Sequence, residues 1–137
     1  MCSSDLGVSK REVDDFLNHF EDLFNGEILG GKKYIRDLSK GNQKKVGIIA
    51  ALIGSPKIII LDEPFANLDP TTQIRLKKII KKLAEEKETT VLVSSHDLQD
   101  VTEVSERIVL LEKGKIVRDI KTDSKTLKEL EEYFTKE

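Results

Sequence analysis

Four consecutive apolar residues, Ile58, Ile59, Ile60 and Leu61, run directly into two adjacent carboxylates, Asp62 and Glu63, and then into Pro64. Three of the four are β-branched, and a continuous apolar run of this kind predicts a strand buried on both faces, as in a parallel sheet covered by helices. Pro64 has no backbone N–H to give to a ladder and ends the strand. An acid pair at the C-terminal end of such a strand stands where open α/β sheets place their ligands, in the crevice beyond the strand ends. An Asp-Glu-Pro tripeptide alone is also an ordinary solvated turn, so its neighbours decide.

Those neighbours are informative. Residues 89–94, Thr-Thr-Val-Leu-Val-Ser, predict a second buried strand, and His96 follows its end, which places an imidazole at the same rim as the acids. Between the two strands, Asp69 with Pro70 at the first helical position caps a helix whose buried stripe is Leu76, Ile79, Ile80 and Leu83. Upstream, Ser39 is placed to cap a helix over residues 43–53 with Val46, Ile49, Ala50 and Ile53 on one side, and Gly54, Ser55 and Pro56 close it. A helix N-terminus carrying a serine hydroxyl and a glycine, Gly41, suits an anion, because free N–H groups and the macrodipole both favour negative charge. The same residues are also an ordinary cap.

The remaining chain frames this centre. Ser9 and Glu12 form a capping box for a helix over residues 10–24, with Val13, Phe16, Leu17, Phe20, Leu23 and Phe24 on one face and His19 exposed among charged neighbours. Gly26, Gly30, Gly31, Lys32 and Lys33 satisfy the G-x-x-x-x-G-K spacing of a P-loop. The match fails on context, because a helix precedes it where a buried strand is needed and Lys33 occupies the position of the Mg²⁺-binding hydroxyl. Residues 25–33 therefore read as a glycine-rich connector. Past His96, Asp97 starts a short helix to about residue 106. Residues 107–111 and 116–120 then predict an antiparallel hairpin at the sheet edge, and a last helix bearing Leu127, Leu130 and Phe134 starts behind Asp123 or Ser124.

With 23 basic against 25 acidic residues among 137, the chain is close to neutral and carries no nucleic-acid footprint. The lysines at 32, 33, 44, 45, 77, 78, 81 and 82 have acids nearby and read as solvated helix faces. The single cysteine, Cys2, excludes an intramolecular disulfide and a cysteine-rich zinc site. No apolar run reaches membrane-spanning length. Residues 1–8 lack periodicity and read as a non-native or disordered leader. Cys2, Ser3, Ser4, Asp5 and Leu6 match the translated tail of a common sequencing adapter, so the chain reads as a truncated open reading frame.

At residues 38–42, Leu-Ser-Lys-Gly-Asn, the chain resembles the signature sequence of the ATP-binding cassette (ABC) family. At the family's spacing it is followed by a strand ending in Asp62 and Glu63 that is similar to Walker B, by residues 65–69 that resemble the D-loop, and by His96, which resembles the switch histidine. Lys40 stands where the family has a glycine and Asn42 where it has a glutamine, while Ser39 and Gly41 are retained. The resemblance implies an α/β fold, the C-terminal part of a P-loop NTPase domain, with parallel buried strands, flanking helices and a C-terminal antiparallel hairpin. Residues 9–137 would then be a truncated nucleotide-binding domain, with a helical signature segment over 9–54 and the Walker B, D-loop and H-loop core with its hairpin and helix over 55–137.

It also implies roles. Asp62 would hold Mg²⁺, Glu63 would orient or deprotonate the attacking water, and His96 would touch the γ-phosphate. Ser39, Gly41 and Asn42 would contact ATP bound to a second ABC ATPase subunit, in a homodimer or heterodimer, and Asp69 would add a D-loop contact to that subunit. The parent protein would be a cytoplasmic ATPase, peripheral on the inner membrane face through a transmembrane permease subunit, with ATP and Mg²⁺ as cofactors and no nucleic-acid partner. Without a Walker A loop, an aromatic for the adenine or a glutamine loop, the polypeptide is expected neither to bind nor to hydrolyse ATP appreciably, and to leave apolar surface open. Two alternatives remain at this point. One is the signature lobe of a chromosome-maintenance or DNA-repair ATPase, against which the lack of a heptad run before Leu38 argues. The other is a non-catalytic module that keeps the fold without the chemistry.

Overall fold

A computed structural model describes residues 9–20, 34–86 and 89–136. The expectations for the leader, for Leu23 and Phe24, for the glycine-rich connector with Lys32 and Lys33, and for the side chain of His19 lie outside the described residues. Helix α1 spans Lys10–His19 and opens on a reciprocal capping box: the Ser9 hydroxyl accepts from the Glu12 N–H at 3.3 Å, and the Glu12 carboxylate accepts from the Ser9 N–H at 2.7 Å. The Phe16 and Phe20 rings meet at 4.6 Å, and Phe20 joins the main core. A 3₁₀ turn at Ile35–Asp37 leads into α2, Lys40–Leu52, with Ser39 as its N-cap.

The sheet is built by a parallel pair. Strand β1, Ile58–Asp62, lies beside β2, Thr90–Ser94, in the register Ile58↔Thr90 to Asp62↔Ser94, and α3, Pro70–Glu86, crosses between them. The pleat sends alternate residues to opposite faces. Ile59 and Leu61 are buried together with partly buried Val91 and Val93 against Ile48, Ile49 and Leu52 of α2 and Leu76 and Ile80 of α3. Full burial of such side chains contributes about 1.5–3 kcal/mol each. The expectation of a strand buried on both faces is corrected here. Ile58 and Ile60 are 65% and 68% exposed and Leu92 is 59% exposed, because α2 and α3 both pack on the other face. This is also where the expected open apolar surface lies.

Helix α4, Leu98–Val104, is capped by Asp97, whose Oδ1 accepts from the N–H groups of Gln99 at 2.9 Å and Asp100 at 3.1 Å. Strands β3, Arg107–Glu112, and β4, Lys115–Lys121, form the expected antiparallel hairpin. Lys113 at φ +48° and Gly114 at φ +77° make a two-residue turn with both residues left-handed, which matches the twist of the strands. The expected place at the sheet edge is corrected: among the described residues the hairpin is a separate two-stranded sheet. Helix α5, Thr126–Thr135, buries Leu130. The expected cap at Asp123 or Ser124 is corrected: Lys125 stands at the N-cap with no side-chain cap bond, and Asp123 instead braces the turn before the helix, accepting from the Lys125 N–H at 2.8 Å and the Thr126 hydroxyl at 3.1 Å.

Two further expectations are revised. The buried side of α2 is Lys45, Ile48, Ile49 and Leu52, with Ala50 exposed. The lysines are not uniformly solvated either. Lys45 is buried, and Lys77 bridges α3 to α4 through Asp100 Oδ1 at 2.7 Å and Glu103 Oε2 at 2.6 Å while lying 5.7 Å from the Phe65 ring centroid. Burial works against the Lys77 charge, yet its two carboxylate partners outweigh that and raise its pKa. Lys78, Lys81 and Lys82 remain exposed.

Candidate functional site

The C-terminal ends of β1 and β2 bring three of the expected residues together. Parallel register puts Asp62 opposite Ser94, and the Ser94 hydroxyl donates a short hydrogen bond to Asp62 Oδ1. The ladder continues one residue further, with the Glu63 N–H donating to the Ser94 carbonyl at 2.9 Å. Glu63 itself turns into the left-handed region at φ +47°, an arrangement that costs a non-glycine residue about 1–3 kcal/mol and recurs at functional sites. The consequence is directional: Glu63 Oε1 accepts from the His96 main-chain N–H at 3.0 Å and lies 2.7 Å from His96 Nδ1.

This geometry assigns the imidazole proton. An ionised carboxylate only accepts, so Nδ1 carries the hydrogen that Glu63 receives, and Nε2 points away from that bond. Nε2 is an acceptor when the ring is neutral and a donor when it is cationic. The hydrogen bond to Glu63, the Glu63 charge and the more distant Asp97 charge together raise the His96 pKa above its ordinary 6.5. The His96 side chain is 85% exposed and that of Glu63 36% exposed, so the pair stands at an accessible rim rather than in the core.

The remaining expected residues stand on other features. The Ser39 hydroxyl accepts from the Asn42 N–H at 3.2 Å, an N-cap bond at the start of α2. Gly41, the second residue of α2, faces the loop that follows Glu63: a Cβ there would lie 3.1 Å from the Asn67 carbonyl oxygen, closer than side chains normally come. Asn67 is itself left-handed at φ +62°. Asp69 caps α3, with Oδ2 accepting from the Thr72 N–H at 3.0 Å and Oδ1 from the Thr72 hydroxyl at 2.5 Å; the Thr72 side chain first, and then its main chain, hold Asp69 below the usual carboxylate range.

Two residues of the site escaped the sequence reading. Ser94 was legible only as the end of a strand; its bond to Asp62 follows once β1 and β2 are placed in parallel register. Lys44, expected on a solvated face, reaches from α2 to the carbonyl oxygens of Glu63 and of Ala66, the latter at 2.9 Å. No local pattern announces a bond between a helix and a turn nineteen residues away.

Asp62 suits a hard divalent cation. Mg²⁺ is usually held by one or two carboxylates completed by water and substrate phosphates, and a single exposed carboxylate steadied by a serine hydroxyl is such a donor set. Among the described residues there is no cluster of three His, Cys, Asp or Glu able to enclose a metal alone.

Comparison with known proteins finds relatives of the fold. Residues 7–99 match the family described as "AAA domain, putative AbiEii toxin, Type IV TA system". The chain is 38% identical over 130 residues to the ABC transporter ATP-binding protein YhaQ of Bacillus subtilis, covering 95% of this chain and 41% of that protein. It is 33% identical over 123 residues to a tyrosine transport ATP-binding protein of Clostridioides difficile, covering 87% and 49%. Its fold superposes on the ATP-binding cassette MJ0796, a dimer bound to ADP and Pi in a post-hydrolysis state, with a TM-score of 0.73 and 31% identity over 85% of this chain and 50% of that one. The chain thus spans about half the length of the cassettes it matches. It belongs to the AAA-domain family of that model and is a homologue of the ATP-binding proteins of ABC transporters, with the α/β P-loop ATPase fold over the part it spans.

Proposed function

We propose that the chain supplies the signature and acid-rim half of the ATP-hydrolysing subunit of an ABC transporter, which powers transport through a membrane permease. The observation that carries this reading is the Glu63 to His96 pair, 2.7 Å apart at the C-terminal rim of a parallel strand pair. Glu63 Oε1 is engaged by His96, so Oε2 is the oxygen that orients an attacking water and accepts its proton. Cationic His96 donates through Nδ1 to Glu63 and through Nε2 to the γ-phosphate, where negative charge gathers. Asp62 would hold Mg²⁺, which when bound would neutralise phosphate charge.

Ser39, Gly41 and Asn42 at the start of α2 offer N–H groups and a hydroxyl to ATP on a second cassette, and Asp69 adds a contact to that subunit. A P-loop from outside these 137 residues completes the nucleotide site, so the chain alone is inactive. No helix among the described residues is long and apolar enough to cross a membrane. By its likeness to transporter ATP-binding proteins, the parent protein would work at the cytoplasmic face through a permease. Keeping Asp62, Glu63 and His96 on one rim favours chemistry over a purely structural module.

Phosphate release from Mg-ATP, measured after adding a P-loop-bearing cassette half in trans, tests the reading. Release is expected to appear with the wild-type chain and to fall about 10²- to 10⁴-fold with Glu63→Gln. Equal release from the two proteins would contradict it.

A further inference from the structure

We propose that Lys44 is a positioning residue that aims the Glu63 carboxylate at His96 by clamping the main chain between Glu63 and Ala66 to helix α2. The inference rests on the functional reading above for its importance to catalysis, though its geometry stands without it. Residues 63–66 form a turn closed by the Ala66 N–H donating to the Glu63 carbonyl at 3.3 Å. That same carbonyl also accepts from the Lys44 ammonium, which donates in addition to the Ala66 carbonyl at 2.9 Å. An ammonium has three donors and no acceptor, so it can hold two carbonyls at once where one amide cannot.

The clamp acts on direction. On its N-terminal side, the peptide plane of Glu63 is fixed by the N–H bond to the Ser94 carbonyl; on its C-terminal side, it is fixed by Lys44. With both planes held, the left-handed conformation at φ +47° persists against its strain, and the Glu63 carboxylate stays within 2.7 Å of His96 Nδ1. The same helix runs close to the same loop a few residues further on, where a Cβ on Gly41 would lie 3.1 Å from the Asn67 carbonyl oxygen. Helix α2 and the Glu63 turn therefore behave as one body, with the Ser39 cap at one end and the Glu63 carboxylate at the other. Released from Lys44, Glu63 would relax toward an ordinary backbone conformation and its carboxylate would leave the imidazole.

The test needs no nucleotide, so it separates this inference from the transporter reading. Long-range ¹H–¹⁵N NMR of the His96 ring in the full 137-residue chain reads which ring nitrogen carries the proton. The wild-type chain is expected to show the Nδ1–H form held by Glu63, Lys44→Met to lose it, and Lys44→Arg to restore it; each protein's thermal melt is recorded alongside. A Lys44→Met chain that melts like wild type and keeps the Nδ1–H signature would overturn the proposal. A second measurement covers a variant that fails to fold: in the wild-type chain the Lys44 ammonium protons should be slow to exchange and visible by NMR, and their absence under conditions where the Glu63 amide is protected would overturn it as well.

Discussion

The two faces of strand β1 differ more than its sequence suggests. Ile59 and Leu61 point into a core shared with α2 and α3, whereas Ile58 and Ile60, of the same residue type and in the same strand, are 65% and 68% exposed beside Leu92. One face is sealed by elements within this chain, and the other is apolar but uncovered by any described residue. The acid rim sits at the end of the sealed side's architecture: α2 supplies Lys44, β2 supplies Ser94 and the approach to His96, and Asp69 starts α3. The lesson is that the chemistry-bearing rim is supported by half a domain's packing, because the helices that seal one face also fix the side chains at its edge.

Substitutions on the two faces should separate them sharply. Leu76, fully buried under the sealed face, is expected to lose about 2–5 kcal/mol of stability when changed to alanine, read by urea unfolding. A loss below about 1 kcal/mol would mean that the two faces are equally loose. Removing the cap at the start of α3 with Asp69→Ala should cost about 0.5–2 kcal/mol in the same assay, since Thr72 then loses its partner inside the sealed side. On the open face, Ile60→Thr should change stability by no more than about 0.5 kcal/mol while lowering the binding of a hydrophobic dye. A large destabilisation there would show that the face is covered after all.

The smallest effect concerns the rim. Because Glu63 raises the pKa of His96, the stabilisation from their pairing is fully present below about pH 6.5, the ordinary histidine value, and is lost as pH rises through the raised one. NMR titration of His96 should give a midpoint above 6.5 that moves back toward it in Glu63→Gln. A midpoint at or below 6.5 in the wild-type chain would separate the two side chains.

Much of this arrangement was legible beforehand because it is written in local signals. The Ser9 to Glu12 capping box, the Ser39 and Asp69 caps, the turn into β4 and the placement of His96 past the end of β2 each follow from residues within a few positions of one another. What escaped is non-local. Lys44 looks like any surface lysine until α2 is laid against the Glu63 turn, and Lys77 until α4 is laid against α3. The apolar run of β1 reports what its residues tolerate, not which neighbours are present to cover them, so burial on both faces was the natural but incorrect expectation.

The central claim is that the rim of Asp62, Glu63 and His96 is one part of a nucleotide site whose phosphate cradle comes from elsewhere. Titration calorimetry with Mg-ATP addresses it most directly. The chain alone is predicted to give no saturable heat at micromolar nucleotide, and to gain it once a P-loop-bearing cassette half is added; micromolar affinity in the chain alone would contradict the account.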